Sequence, residues 1–510
     1  MTQEKYALLS VYNKSGIEEL AKALVDLGYH IISSGGTAKV LTENNIPVIP
    51  IQEITKNPES FDGRMKTISF QIESGILYDR KNAKHRAEAE ALDIKPIDIV
   101  VCNLYPFEKT PSIETIDVGG PTMVRAAAKN HESVLVVIDP NDYHMVIKLL
   151  HSRKVTDVFR RWLAGKAFHH LSFYDAQVAG YLSHELFPQE HTLAGRKFMD
   201  LRYGENPHQK AAVYLHPQSN SPFQNLKKLW GRALSLTNVT DINAGLELAR
   251  LFKEPAAVVI KHNNPCGIAL GETITEALER AIEADPESAF GGVIILNKPL
   301  DKKTAEIVGN FKDERKSNID IIAAPRAEKQ AVEFLSKVRK TMGIYTFGAL
   351  KKSRSKRFDI KWIDGGYVVQ THDDDLAKGF KEWKVVTKKN PTEKQLEQMK
   401  LAWLYITRIR SNAIIVVDKN LPMTRGIGTG QTSRVRSVKI ALDQAKAHID
   451  GAILASDSFF PFDDSVILAT KAGIGAIVQQ GGSMNDQASI DAADKAGIPM
   501  VFTTRRAFWH

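Results

Sequence analysis

Cysteine is nearly absent: Cys102 and Cys266 are the only two in 510 residues. That excludes a disulfide framework and a multi-thiolate zinc site, and both are expected to be reduced thiols. Long apolar runs are missing as well. Stretches such as Ile97 to Cys102 and Val134 to Ile138 fall far short of the roughly 18 residues needed to cross a bilayer, so no membrane segment is expected. The segment Met1 to Leu9 has no charged stretch followed by an apolar run and a small-residue cleavage site; no secretion signal is read, and the cytoplasm is the expected compartment. Neither sign of charge dominates, with 68 Lys plus Arg against 59 Asp plus Glu and a net charge of +9. At 43% hydrophobic and 25% charged residues, disorder and collagen-like structure are excluded. The small positive excess suits an anionic partner, either nucleic acid or a phosphorylated small molecule.

The length is about three times the soft prior for one domain, which asks for two or three cores. Up to Ile138, β-branched runs alternate with helical patterns. Tyr6 to Val11 reads as a strand, and Ile17, Leu20, Ala21, Leu24 and Leu27 follow at helical spacing before Gly28. Further strands are read at His30 to Ser33, Ile46 to Ile51, Ile97 to Cys102 and Val134 to Ile138, with helices near Ala38 to Asn45 and Met123 to Asn130. This alternation predicts a parallel sheet covered by helices, with ligands at the C-terminal strand edge. A long helix is expected over Asp157 to Leu182, and the polar stretch Pro188 to Arg196 marks the boundary between residues 1–195 and 196–510.

The second part has its own strands at Ala256 to Ile260, Ala413 to Val417, Gly451 to Ala455, Ala476 to Val478 and Pro499 to Phe502. A weak echo hints at duplication. Lys261-His262-Asn263 with Ser288 to Gly292 is answered by Arg410-Ser411-Asn412 with Ser456 to Phe460. The basic run Lys351 to Arg357 lies in a strand-poor stretch between these halves. It reads as a solvated loop rather than an RNA grip, because no aromatic residues interleave it.

Several clusters fall on the predicted ligand edge of the first part. Ser33-Ser34-Gly35-Gly36-Thr37 follows a strand and precedes a helix: a phosphate cradle or a plain N-capped turn. Ser10 and Lys14 belong to the same edge. Gly63 to Thr67 brings Arg64, Lys66 and a hydroxyl within a few residues, Asn103 to Phe107 leaves a strand, and Asp117 to Asn130 carries Gly-Gly-Pro into a helix. In the second part, Lys261 and His262 place a cation and an acid/base at a strand end.

These segments resemble the bifunctional phosphoribosylaminoimidazolecarboxamide formyltransferase / IMP cyclohydrolase family. In the first part the resemblance rests on Leu9-Ser10, Ser34 to Thr37, Asp62 to Thr67, Asn103 to Phe107 and Asp117 to Asn130. In the second it rests on Arg202 to Gln209, Lys261 to Gly267, Ser288 to Gly292, Ser411 to Ile414, Gly426 to Arg434, Ser456 to Phe462 and Gln480 to Ser483. The resemblance implies an α/β chain with an N-terminal methylglyoxal-synthase-like parallel-sheet domain and a C-terminal duplicated cytidine-deaminase-like domain. It implies that Ser10, Lys14, Ser34, Gly35, Gly36, Thr37, Arg64 and Thr67 hold the nucleotide, while Lys66, Tyr105, Asp117 and Lys129 carry ring closure. For the transferase it implies His262 as base, Lys261 and Asn412 as oxyanion stabilisers, Arg202, Tyr203 and Arg506 on the nucleotide, and Phe290, Phe459 and Phe460 beside substrate and pterin.

The implied substrates are AICAR (the imidazole carboxamide ribotide), formyl-AICAR and the cosubstrate 10-formyltetrahydrofolate. A homodimer is implied, with no nucleic acid or membrane partner. No metal is expected, since Pro265-Cys266 lacks a second cysteine two residues on and no His-x-Glu partner accompanies it. The chain also departs from the family pattern. Ile68 to Gly75 stands where Leu-His-Pro-Lys and a His-Gly-Gly are usual, and the segment from Tyr105 to Asp117 is short. A formyltransferase with an impaired cyclohydrolase domain is therefore the alternative, and a basic RNA-binding protein a lesser one. Arg410 and Gln480 stand where Lys and Pro are usual.

Overall fold

In the computed structural model the alternation of the first part becomes five strands: β1 (Lys5–Val11), β2 (Tyr29–Ser33), β3 (Ile49–Pro50), β4 (Ile97–Asn103) and β5 (Leu135–Val137). The structure describes residues 4–61, 64–183, 185–217, 219–311, 318–350, 358–373 and 378–510. Contacts divide the chain into two units, Met1–Arg196 and Lys197–His510.

In the first unit the strands run parallel in the order β3-β2-β1-β4-β5. Order reverses between β1 and β4, which opens a crevice at their C-terminal ends. The helices are α1 (Ile17–Asp26), α2 (Gly35–Glu43), α3 (Ile51–Thr55), α4 (Phe70–Leu77), α5 (Ala83–Ala91), α6 (Gly119–Lys129), α7 (Tyr143–His151) and α8 (Asp157–Leu182). Helix α1 buries Ile17, Leu20, Ala21 and Leu24, the positions its periodicity selects, and each large aliphatic so buried contributes about 1.5–3 kcal/mol. All β1 residues from Tyr6 to Leu9 are core, as expected of a strand covered on both faces. The strand expected over Ile46 to Ile51 shrinks to two residues. Pro50, at φ −57°, caps a helix whose first residue is Ile51, so the apolar side chain is buried from a helix. Helix α2 starts at Gly35, earlier than the apolar periodicity suggests.

The second unit begins with a hairpin, β6 (Arg196–Asp200) with β7 (Ala212–Leu215). There follow β8 (Lys227–Trp230), α9 (Leu236–Ala249), β9 (Ala256–Lys261), β10 (Asn264–Leu270), α10 (Ile274–Ala284), α11 (Pro286–Ala289), β11 (Val293–Leu296), α12 (Lys302–Asn310), β12 (Ile321–Ala324), α13 (Lys329–Val338) and β13 (Gly343–Thr346). A second hairpin, β14 (Phe358–Ile363) with β15 (Gly366–Thr371), occupies the region that reads as strand-poor; the basic run 351–357 before it lies outside the described residues. Then come β16 (Lys384–Val385), α14 (Glu393–Ile406), β17 (Ile414–Val417), β18 (Thr424–Gly428), α15 (Arg434–Ala445), β19 (Ile453–Ser456), α16 (Asp464–Ala472), β20 (Ala476–Gln479), α17 (Asp486–Ala496) and β21 (Met500–Phe502).

The two six-stranded sheets have one topology. The first runs β10-β9-β11-β12-β13-β8, and the second, read from its other edge, runs β18-β17-β19-β20-β21-β16. Antiparallel and parallel pairings coincide position by position. The unit is thus duplicated. Strand alternation splits each sheet between two cores: Val258 and Ile260 with Ile415 and Val417 enter a shared central core with α9 and α14, while Val259 and Val416 face separate outer cores. The motif echo, however, pairs non-equivalent places. Lys261 ends β9, whereas Arg410 to Asn412 precede β17, the strand equivalent to β9. The halves meet along β10 and β18, where Ala269 bridges Met423 antiparallel and Leu270 N–H donates to Pro422 O at 2.9 Å. That seam brings the end of β9 and the start of β17 to one edge.

Candidate functional site

At the crevice of the first unit, the chain leaves β2 through Ser34, the N-cap of α2, whose side chain makes no cap hydrogen bond. Gly35 adopts φ +51°, and a Cβ there would stand 2.7 Å from Lys66 Nζ; one on Gly36 would stand 3.7 Å from Lys14 Nζ. Two ammonium groups thus flank the first turn of a nine-residue helix, an arrangement that suits a phosphate. Lys14 Nζ is held by Val11 O at 3.1 Å and Tyr12 O at 3.2 Å. Thr37 plays a different part from the one its motif implies. Its hydroxyl accepts from Val11 N–H and donates to Val11 O, both at 3.1 Å, so it fastens α2 to β1 and is not presented to a ligand. Ser10 lies half-buried near the end of β1, in register with Cys102.

Lys66 pairs with Glu59 at 3.0 Å, and Arg64 with Glu114. Both carboxylates escaped the sequence reading, since nothing in their local pattern marks them; they offset the charge of these two cations. Thr67 is buried, and a Cβ on Gly119 would meet its hydroxyl at 2.4 Å, so the loop between α3 and α4 packs directly on the start of α6. Two residues earlier, Asp117 Oδ1 accepts from Gly120 N–H at 2.9 Å, and Asp117 N–H donates to the Tyr174 hydroxyl of α8 at 2.7 Å. Burial raises the Asp117 carboxyl above the usual aspartate range, and the Gly120 N–H partly offsets this. Tyr105 is exposed, its ring 5.0 Å from that of Tyr12. Lys14, Lys66, Thr67, Tyr105 and Asp117 therefore line one edge. Lys129 does not join them. It is exposed on the last turn of α6, about 15 Å along the axis from Gly119 at 1.5 Å per residue, on the opposite edge of the sheet.

In the second unit, β9 turns into β10 through His262 (φ 56°) and Asn263 (φ 62°), flanked by the Lys261–Asn264 pair. Two successive positive φ values make this a type I′ hairpin turn, which projects the exposed imidazole from the sheet edge. Asn263 N–H donates to Asp241 on α9 at 2.6 Å. Burial raises the Asp241 carboxyl, while that hydrogen bond and the nearby His262 pull it down. Lys261 Nζ donates to Phe290 O at 2.8 Å and lies 5.9 Å from the centre of that half-exposed ring.

Across the seam, the Ser411–Asn412 peptide is cis. Asn412 Oδ1 accepts from Arg434 at 2.6 Å and its Nδ2 donates to Gln431 O at 2.8 Å. Arg434 is paired with Asp457, which also accepts from Ser411 Oγ at 2.6 Å and Ala413 N–H at 3.0 Å. Sequence reading missed Asp457 and gave Arg434 no role, because their pairing is long-range.

Arg202 stacks 4.6 Å over Tyr203 and donates to its hydroxyl; Tyr203 O accepts from Leu236 N–H, which sets the pair at the start of α9. Arg506 is exposed, its guanidinium 4.8 Å from the Phe508 ring centre, on a tail tied to Asp457 O through Ala507 N–H. Phe459 is half-buried. Phe460 is not a ligand-facing ring: it is 0% exposed and belongs to the outer core with Val438 and Val466, and its backbone N–H donates to buried Gln479. The exposed phenyl of this segment is Phe462. Among the described residues no group of three or more His, Cys, Asp or Glu is placed to hold a metal ion, and no helix is long and apolar enough to cross a membrane.

Residues 127–444 match the family model described as AICARFT/IMPCHase bienzyme, and residues 16–132 match the MGS-like domain. The bifunctional purine biosynthesis protein PurH of Thermoanaerobacter sp. is 44% identical over 99% of this chain and 100% of its own length. That of Oceanobacillus iheyensis is 43% identical with the same coverage. A solved structure, the crystal structure of ForH, is 35% identical over 36% of this chain and 100% of its own, with a TM-score of 0.33. The chain belongs to the AICARFT/IMPCHase bienzyme family of purine biosynthesis.

Proposed function

We propose that the protein makes IMP in two consecutive steps, with formyl transfer in Lys197–His510 and ring closure in Met1–Arg196. The observation that carries this reading is the pairing of the two constellations with the full-length family match: a cation-flanked helix start beside a half-buried aspartate in one unit, and in the other a Lys-His turn tied across the seam to the strand start that carries a fixed Asn. In the first step the AICAR amine attacks the formyl carbon of 10-formyltetrahydrofolate. His262 takes the amine proton, Lys261 and Asn412 stabilise the tetrahedral oxyanion, and Lys261 protonates the departing folate nitrogen. In the second step the carboxamide nitrogen attacks the new formamide carbon. Asp117 accepts its proton, Lys66 and Tyr105 stabilise the alkoxide, and water leaves.

Arg202, Tyr203 and Arg506 bind the ribotide in the transferase unit; Lys14, Ser34, Gly35 and Gly36 bind its phosphate in the other, near Ser10, Arg64 and Thr67. Lys129 has no part in this scheme. The departure over Ile68 to Gly75 leaves the proposed groups in place: the segment runs into α4, capped by Ser69, and none of those groups comes from it. A homodimer in the cytoplasm that needs no metal completes the proposal. The test is a coupled assay with AICAR and 10-formyltetrahydrofolate that follows tetrahydrofolate and IMP separately. Both should accumulate, in succession. Ring closure of supplied formyl-AICAR no faster than in buffer would leave only the transferase.

A further inference from the structure

Duplication supplies a control for the buried residues of the two equivalent sheets and their helices. β11 and β19 are equivalent, and the residues that follow them, Asn297 and Asp457, do the same backbone work. Asn297 Oδ1 accepts from Ala256 N–H at 2.8 Å, at the start of β9, and Asp457 Oδ2 accepts from Ala413 N–H at 3.0 Å, just before β17. The helices α10 and α15 are equivalent too. A Cβ on Gly267 would meet Ala281 O and one on Gly426 would meet Ala441 O, so Ile274 and Arg434, each seven residues earlier and each first in its helix, occupy one position. Ile274 is buried and apolar. Where the first half has a neutral amide and an isoleucine, the second half has an ion pair whose side chains are 0% and 8% exposed.

The fold therefore does not require these charges, and burying them carries a desolvation cost that pairing must offset. What distinguishes the second half is Asn412. Its amide oxygen is taken by Arg434, its carbonyl by Ser437 Oγ at 2.8 Å, and one Nδ2 proton by Gln431 O. Without a cation at its oxygen, an asparagine amide can turn over and present an acceptor, which would repel a developing oxyanion. Held as it is, only an N–H can face the reacting carbonyl.

We propose that the buried Arg434–Asp457 pair is a positioning device that fixes the amide of Asn412 with its N–H toward the formyl oxygen. Asp457 holds the guanidinium, and at the same time anchors Ser411 and Ala413 on either side of the asparagine. This rests on the assignment of Asn412 as an oxyanion donor, and the experiment separates the two. The variant Arg434→Ile with Asp457→Asn reproduces the residues that the first half uses at these places. Its kcat for formyl transfer should fall by roughly tenfold to a hundredfold, the cost of a misaligned donor, with KM for both substrates within about threefold. Added to Asn412→Ala, the same two changes should cost less than about threefold more, since they act through the missing amide.

Full turnover in the paired variant while Asn412→Ala is impaired would remove the positioning role alone. Multiplicative losses in the triple variant would do the same. Full turnover in Asn412→Ala would remove both the donor assignment and the positioning. Should the paired variant fail to fold, Arg434→Lys keeps a cation opposite Asp457 but lacks the planar fork that reaches Asn412 as well. It should show the same loss of kcat, and wild-type turnover in it would overturn the proposal.

Discussion

The side-chain carbonyl of Asn264 accepts a hydrogen bond from the backbone N–H of Arg410 at 3.2 Å, and through it the turn that carries His262 is tied to the strand start that carries Asn412. The same oxygen also accepts from the Thr429 hydroxyl at 3.0 Å. One asparagine thus staples the two halves of the duplicated unit at the edge where the proposed base and oxyanion donor must meet. Catalytic groups held on separate halves need such a bond, because displacement by about 1 Å can cost about a hundredfold in rate.

Replacing Asn264 by Ala leaves the Arg410 N–H and the Thr429 hydroxyl without this partner. A loss of about 1–3 kcal/mol from the transferase unit is expected, the usual penalty for a half-buried donor left unpaired. Formyl transfer should slow in kcat, while ring closure of supplied formyl-AICAR stays at wild-type rate. Thermal unfolding and the two separate assays check this; unchanged transfer would mean that the seam holds without Asn264.

Lys14 and Lys66 flank the same helix start but should separate kinetically. Lys14 is held by the carbonyls of Val11, which ends β1, and of Tyr12, which suits uniform binding of a phosphate. Lys14→Ala should raise KM for formyl-AICAR with kcat little changed. Lys66, paired with exposed Glu59, is available to the developing alkoxide, and Lys66→Ala should lower kcat by about a hundredfold or more. Steady-state kinetics of ring closure alone decides, and the opposite pattern would exchange the two roles.

Burial raises the carboxyl of Asp117, so as a general base it works only once the pH exceeds that raised value. The acid limb of kcat/KM for ring closure should therefore lie above the ordinary aspartate range, with the rate rising as pH rises through it. Asp117→Asn should abolish this limb along with most of the activity. Gly120→Ala should be nearly as damaging, since its Cβ would stand 2.5 Å from Asp117 Oδ2. A pH–rate profile of the three proteins is the measurement. A limb that persists in Asp117→Asn would belong to another group.

Much of this was legible before the structure, for identifiable reasons. Helix α8 spans the residues its periodicity indicates, from Asp157 to Leu182, because Thr156 caps it and a continuous apolar pattern runs through it. Gly35, Gly119 and Gly120 are visible in their motifs because close approach leaves no room there for a side chain. What stayed hidden is long-range pairing. Glu114 with Arg64, Tyr174 with Asp117, and Asp457 with Arg434 are separated by 50, 57 and 23 residues, and no local pattern announces them. Phe460 is hidden for the same reason: two adjacent phenyls look alike in sequence, and only packing against residues distant in the chain, Val438 and Met500 among them, puts one of them in the core.

Glu73 stands in the segment where the chain leaves the family pattern, and burial alone lifts its carboxyl from 4.5 to about 7. Its Oε1 has no hydrogen-bond partner among the described residues. A group bound more tightly to its proton when folded contributes stability below its unfolded pKa, and that contribution is lost as pH rises through the folded value. Between about pH 4.5 and 7 the Met1–Arg196 unit should therefore weaken, by at most about 3 kcal/mol from the shift itself and by about 1–2 kcal/mol after allowing for partial exposure. Glu73→Gln keeps the shape and removes the charge. It should raise the Tm of this unit at pH 8, lose most of that gain at pH 5, and leave ring closure intact. A stabilisation equal at both pH values would show that the carboxylate is solvated as well as any on the surface.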